Sequence, residues 1–106
     1  MNKVVLDRLK RFSPEKMQKA SVFDCDTLFY DLYCLEPGQG QKVHSHAGSD
    51  KIYLTLEGSP TVHVGGEAEV LKPGEAALAP AGQEHGLSNP SGDRAVLLVV
   101  MAPKPG

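Results

Sequence analysis

Past residue 26 the chain alternates between short apolar or alternating runs and clusters of turn-forming residues. Thr27 to Leu35 (TLFYDLYCL) is rich in aromatics and Leu and stops at Glu36-Pro37-Gly38-Gln39-Gly40, the pattern of a strand entering a turn. Lys42 to His46 reads as the next strand, and Lys51 to Glu57 (KIYLTLE) as another, closed by Gly58-Ser59-Pro60. Thr61 to Val64 alternates up to Gly65-Gly66, a tight primed hairpin signal, and continues into Glu67 to Leu71. Lys72-Pro73-Gly74, Pro80-Ala81-Gly82 and Asn89-Pro90-Ser91-Gly92 separate two further strands, Glu75 to Ala79 and Glu84 to Ser88. Ala95 to Met101 (AVLLVVM) is a continuous apolar run, suited to burial on both faces. About eight short strands with such regular turn signals predict an all-β sandwich or barrel.

The first twenty residues follow another pattern. Ser13 as N-cap, Pro14 at the first helical position and Glu15 in the first turn predict one short helix running through Lys16 to Ala20. The expected organisation is an N-terminal segment, residues 1–22, carrying that helix and packing on a barrel built from residues 23–106.

A length of 106 residues leaves room for one domain and one core. The 11 Gly and 8 Pro exceed ordinary usage and fit many turns between short strands. Net charge is −2, yet six of the 11 basic residues (Lys3, Arg8, Lys10, Arg11, Lys16, Lys19) fall in the first nineteen. That segment lacks interleaved aromatics and the remaining body is acidic, so the expectation is a solvated helix face and no nucleic-acid partner. No apolar run has the length of a membrane span, and the N-terminus lacks a signal-peptide pattern, which sets the expected location as the cytoplasm, without membrane association. Cys25 and Cys34 lie outside any metal-type spacing and are read as reduced structural thiols.

The chemistry concentrates on His44-Ser45-His46. Side chains two apart on a strand share a face, so these imidazoles form a chelating pair, although HxH alone is a weak signal. The surroundings strengthen it. Gly38, five residues, His44-x-His46, four residues, Lys51, six residues and Gly58 resemble the first cupin motif at every fixed position but one, where Lys51 replaces a glutamate. Gly74, five residues, Pro80-x-Gly82, two residues, His85, three residues and Asn89 resemble the second cupin motif throughout, after a short inter-motif spacing of fifteen residues.

The resemblance implies a double-stranded β-helix (a jelly-roll barrel) with a short N-terminal helical segment. It also implies one divalent transition metal, Zn, Fe, Ni, Mn or Cu, on His44, His46 and His85, and the homodimeric assembly common among small cupins. Three neutral imidazoles leave coordination positions open for water or substrate. Lys51 opposes this metal: at an effective dielectric of about 20 and a separation of about 5 Å, an ammonium repels each net positive charge by roughly 3 kcal/mol. Lys51 could swing to solvent, pair with an acid, lose its proton or be neutralised by an anionic ligand. The last is favoured here, with Lys51 anchoring a carboxylate or similar group. Tyr53 and Thr55 share the face of Lys51, so Tyr53 is a second candidate for ligand binding and equally a core residue with a satisfied hydroxyl. Asp50 and His63 are expected on the opposite faces of their strands, outside the site.

The expected function is therefore a small metal-binding cupin that binds or acts on a small organic anion, its enzymatic form resembling three-histidine dioxygenases. The alternatives are a non-catalytic ligand-binding or sensory cupin and a metal-free structural barrel. Serine-nucleophile settings and nucleotide-binding loops do not occur in the sequence.

Overall fold

A computed structural model describes residues 1–105. It contains nine strands: β1 (Gln18–Asp24), β2 (Phe29–Leu35), β3 (Gly40–His44), β4 (Asp50–Glu57), β5 (Thr61–Val64), β6 (Glu67–Val70), β7 (Ala76–Ala79), β8 (His85–Ser88) and β9 (Ala95–Ala102). They form two antiparallel sheets, β1-β2-β9-β4-β7 and β3-β8-β5-β6. β9, the continuous apolar run, lies at the centre of the larger sheet between β2 and β4 and is buried along nearly all its length. At the β5–β6 hairpin Val64 pairs with Glu67 across Gly65-Gly66, and Gly65 takes the positive φ that such a two-residue turn demands.

Side-chain alternation divides the core in two. Tyr33, Leu35, Tyr53, Val62, Leu87, Leu97 and Val99 meet between the sheets. Leu32, Cys34, Val96 and Leu98, on the opposite face of β2 and β9, form an outer cluster with Ala20 and Val22, covered by Val4, Leu6, Leu9 and Phe12. Val4, Leu6, Leu9 and Phe12 thus pack on the chain's own sheet, while Val5 is exposed.

The helix expected from Ser13 to Ala20 is not formed. The short helical segment lies earlier, as a single 3₁₀ turn at Leu6–Arg8, and residues 18–24 are strand β1, so a boundary after residue 22 falls inside β1. The capping interaction itself is present, since Ser13 Oγ accepts from the Glu15 amide at 3.2 Å. A one-turn nucleus has little intrinsic stability, whereas the same residues gain a ladder with β2 (Lys19 opposite Tyr33, Ala20 opposite Leu32) and bury Ala20 and Val22. Nor do all the N-terminal cations lie on a solvated helix: Lys10 pairs with Asp7 and Glu57, and Lys19 stands over the ring of Tyr33. Cys25 is exposed and Cys34 buried, and both are free.

Candidate metal centre

His44 and His85 are register partners on adjacent strands, which places their rings side by side with centroids 4.5 Å apart. His46 lies two residues beyond the end of β3, because that strand runs from Gly40 to His44 and not from Lys42 to His46. Its loop is tied back to the turn before β8: the Gly82 amide donates to the His46 carbonyl at 2.9 Å, and the Ala81 amide to Asp50 Oδ1 at 2.8 Å. The His46 ring centroid lies 5.0 Å from that of His44 and 5.6 Å from that of His85. One ring nitrogen from each of the three falls within 4.8 Å of the others. Asp50 is exposed and serves as that loop tie, outside the histidine group. His63 faces away from the interior, with Nε2 3.3 Å from Ser88 Oγ.

The hydrogen bonds of the rings indicate their tautomers. His44 Nδ1 lies 2.7 Å from the Lys42 carbonyl and His85 Nδ1 3.1 Å from the Gln83 carbonyl. A carbonyl only accepts, so Nδ1 carries the proton in both rings, and in the neutral form of each ring the lone pair is on Nε2. His85 is 1% exposed, and its Nε2 has no partner among the described residues. Burial, with His44 and Lys51 adding, holds His46 below the ordinary histidine value. Burial likewise lowers His85, Lys51 and the other two imidazoles adding and the Gln83 carbonyl opposing. Three imidazoles with one ring nitrogen each within 4.8 Å of the others, one of the rings holding a buried nitrogen without a partner among the described residues, fit a divalent transition metal.

His44 and His46 open onto a cavity of about 330 Å³ whose far wall comes from the larger sheet. Lys19 (β1), Asp31 and Tyr33 (β2), Lys51 (β4) and Gln41 (β3) supply its polar lining, and Phe29, Val99 and Met101 the apolar part. Lys51 is 1% exposed. Its Nζ donates to Gln41 Oε1 at 3.0 Å and lies 5.2 Å from the ring centre of Tyr53 and 5.5 Å from that of Tyr33. Burial, assisted by Lys19 and opposed by Asp31, lowers its pKa to about 8. Tyr53 is fully buried in the core, behind Lys51 rather than in the cavity lining, and its hydroxyl has no partner among the described residues; the same holds for the hydroxyl of Thr55.

Asp31, Tyr33, Gln41 and Lys19 were not among the residues singled out by the sequence. Asp31 had a signal, a lone charge at the centre of an otherwise apolar strand, on the face of Phe29 and Tyr33. Gln41 had none. Gln41 pairs with Leu87 and His44 with His85, so β3 uses three steps where β8 uses two. The extra residue is a bulge that turns Gln41 and His44 to the same side. Strict alternation from His44 would have put Gln41 outside.

Two antiparallel sheets closed around an interior site define a double-stranded β-helix. The cupin-domain family matches residues 31–101, and the chain belongs to it. The TT1209 protein of Thermus thermophilus is similar along the whole chain, with 55% identity, a TM-score of 0.96 and coverage of 99% of this chain and 100% of that one. An uncharacterised protein with a double-stranded β-helix domain from Klebsiella pneumoniae has 25% identity and a TM-score of 0.90, covering 100% of this chain and 94% of its own. A sugar phosphate isomerase cupin from Silicibacter pomeroyi, at 23% identity, TM-score 0.81 and coverage of 97% and 76%, shares the fold. No curated protein matches the chain.

Proposed function

We propose that this chain binds one divalent transition metal through His44, His46 and His85 and holds a small organic anion beside it, anchored by Lys51. The observation that carries this reading is the buried Nε2 of His85, without a partner among the described residues, in a ring that offers one nitrogen within 4.8 Å of a nitrogen from each of the other two imidazoles. A bound metal supplies positive charge and open positions for an oxygen ligand. The chain does the rest. The carbonyls of Lys42 and Gln83 fix two rings in the ligating tautomer, Gln41 holds the Lys51 ammonium at the cavity wall, and Phe29, Val99 and Met101 supply the apolar part of the same wall. A ligand bearing a carboxylate or comparable group would bring the negative charge that the histidine site, with a lysine as neighbour, lacks.

The test is elemental analysis of protein prepared without a histidine tag, followed by calorimetric titration of the metal-free form with zinc and nickel. One equivalent per chain is expected, with affinity at least a hundredfold lower in His85→Ala and His44→Ala. Equal affinity in the parent and both variants would remove the reading.

A further inference from the structure

The cavity holds opposite charges that do not pair. Asp31 projects from β2 on the face of Phe29 and Tyr33 and lines the same space as Lys19 and Lys51. Among the described residues its carboxylate has no ion pair within 4.0 Å and no hydrogen bond. The two lysines are engaged elsewhere. Lys51 donates to Gln41, and both ammonium groups stand over the Tyr33 ring, at 5.3 Å for Lys19 and 5.5 Å for Lys51. A half-buried carboxylate loses hydration, and one left without a protein partner is under-satisfied. Burial accordingly raises its pKa, against the pull of Lys19 and Lys51. The cavity thus presents a cationic donor and an anionic acceptor as separate, unmatched elements instead of a collapsed pair.

A guest that satisfies both must carry an anionic group for Lys51 and a hydrogen-bond donor for Asp31. An ammonium donor is disfavoured, because it would enter the field of two lysines and of any metal on the histidines. A hydroxyl donates without adding positive charge. We propose that the cavity is selective for small hydroxy-carboxylates, with Asp31 accepting the guest's hydroxyl as the specificity-determining residue. This rests on the anion-binding reading above and adds the class of anion to it. The 330 Å³ volume lies at the low end for ligand pockets and suits a guest of this size.

The experiment titrates zinc-loaded protein with two pairs of probes that differ by one hydroxyl, lactate against propionate and malate against succinate. At least one hydroxylated member should bind about tenfold or more tightly than its partner. In Asp31→Ala that preference should fall to within about twofold, while the unhydroxylated acid binds as well or better, having lost a like charge nearby. Asp31→Asn is isosteric and keeps a neutral acceptor, so it should retain the fold and a preference several times smaller than that of the parent. α-Hydroxy acids can also chelate zinc, and a preference undiminished in Asp31→Ala would assign it to the metal and overturn the proposal. Equal binding of both members of each pair to the parent would overturn this inference while leaving the anion reading intact. Failure of all four acids to bind zinc-loaded protein would remove both.

Discussion

Lys51 is buried and turned into the cavity rather than out to solvent. Its charge and a metal on the histidines oppose each other by a few kcal/mol at most, since roughly 3 kcal/mol per net charge is an upper figure before desolvation. Lys51→Glu replaces that repulsion with a ligand and should raise zinc affinity at least tenfold, which takes only about 1.4 kcal/mol. Lys51→Met should give part of the gain, and calorimetry on metal-free protein would show it. Unchanged affinity in both would place the ammonium out of reach of the metal. The same burial has a pH signature. Lys51 titrates near 8 in the folded chain and near 10.5 when unfolded, so the unfolded state binds more protons between those values. Stability therefore rises with pH across that window, and the cost of burying the charge is fully present below it. Lys51→Met should be stabilised relative to the parent by at most about 3 kcal/mol below pH 8, an advantage that shrinks towards pH 10.5 in urea titrations of the metal-free proteins.

The element that shapes the site is the bulge in β3. It is accommodated by Gly86 on the neighbouring strand: a Cβ there would lie 2.9 Å from Val43 Cγ2 and 3.1 Å from the Val43 Cα and amide nitrogen. Gly86→Ala should push the bulge away, costing about 1–3 kcal/mol of stability and weakening zinc binding severalfold, because His44 follows directly. A lowered denaturant midpoint with unchanged zinc affinity would mean that β3 yields without moving the histidine. The bulge also explains what the sequence could and could not disclose. The histidines were legible because motif spacing survives local irregularity, and β4, β5 and β9 because their alternation or apolar run is unbroken. Gln41 was hidden because one extra residue inverts the parity on which face assignment depends. β1 was hidden because Ser13-Pro14-Glu15 is a sound helix start locally, and only pairing with β2, remote from those residues, decides otherwise. Tyr53 was placed on the correct face, but whether a residue on that face lines a cavity or lies behind one that does depends on packing depth.

Across the whole molecule the larger sheet has two working faces. The inner one carries Lys19, Asp31, Tyr33 and Lys51 towards the cavity; the outer one carries Leu32, Val96 and Leu98 beneath the N-terminal segment. Phe12 lies under the Arg94 guanidinium, 4.2 Å from ring to carbon, and Arg94 is in turn paired with Glu36. Stability and ligand chemistry should therefore separate. A Leu9→Ala, Phe12→Ala double variant, both residues being half-buried, should lose about 2–4 kcal/mol in denaturant titration. Its zinc stoichiometry should stay the same, and a lost metal site would show that the outer layer also sets the position of the histidines.

Placing a lysine, rather than a carboxylate, beside three histidines has a further consequence once metal and anion are treated as two guests of one host. If the anion relieves the repulsion felt by the metal, thermodynamics requires the metal to strengthen the anion by the same factor. On this reading neither occupancy is a fixed property of the chain. Dialysis that removes the anion loosens the metal, and chelation that removes the metal releases the anion. The amount of metal retained through purification then reports the history of both guests. A glutamate at position 51, by contrast, would let the metal stay on its own.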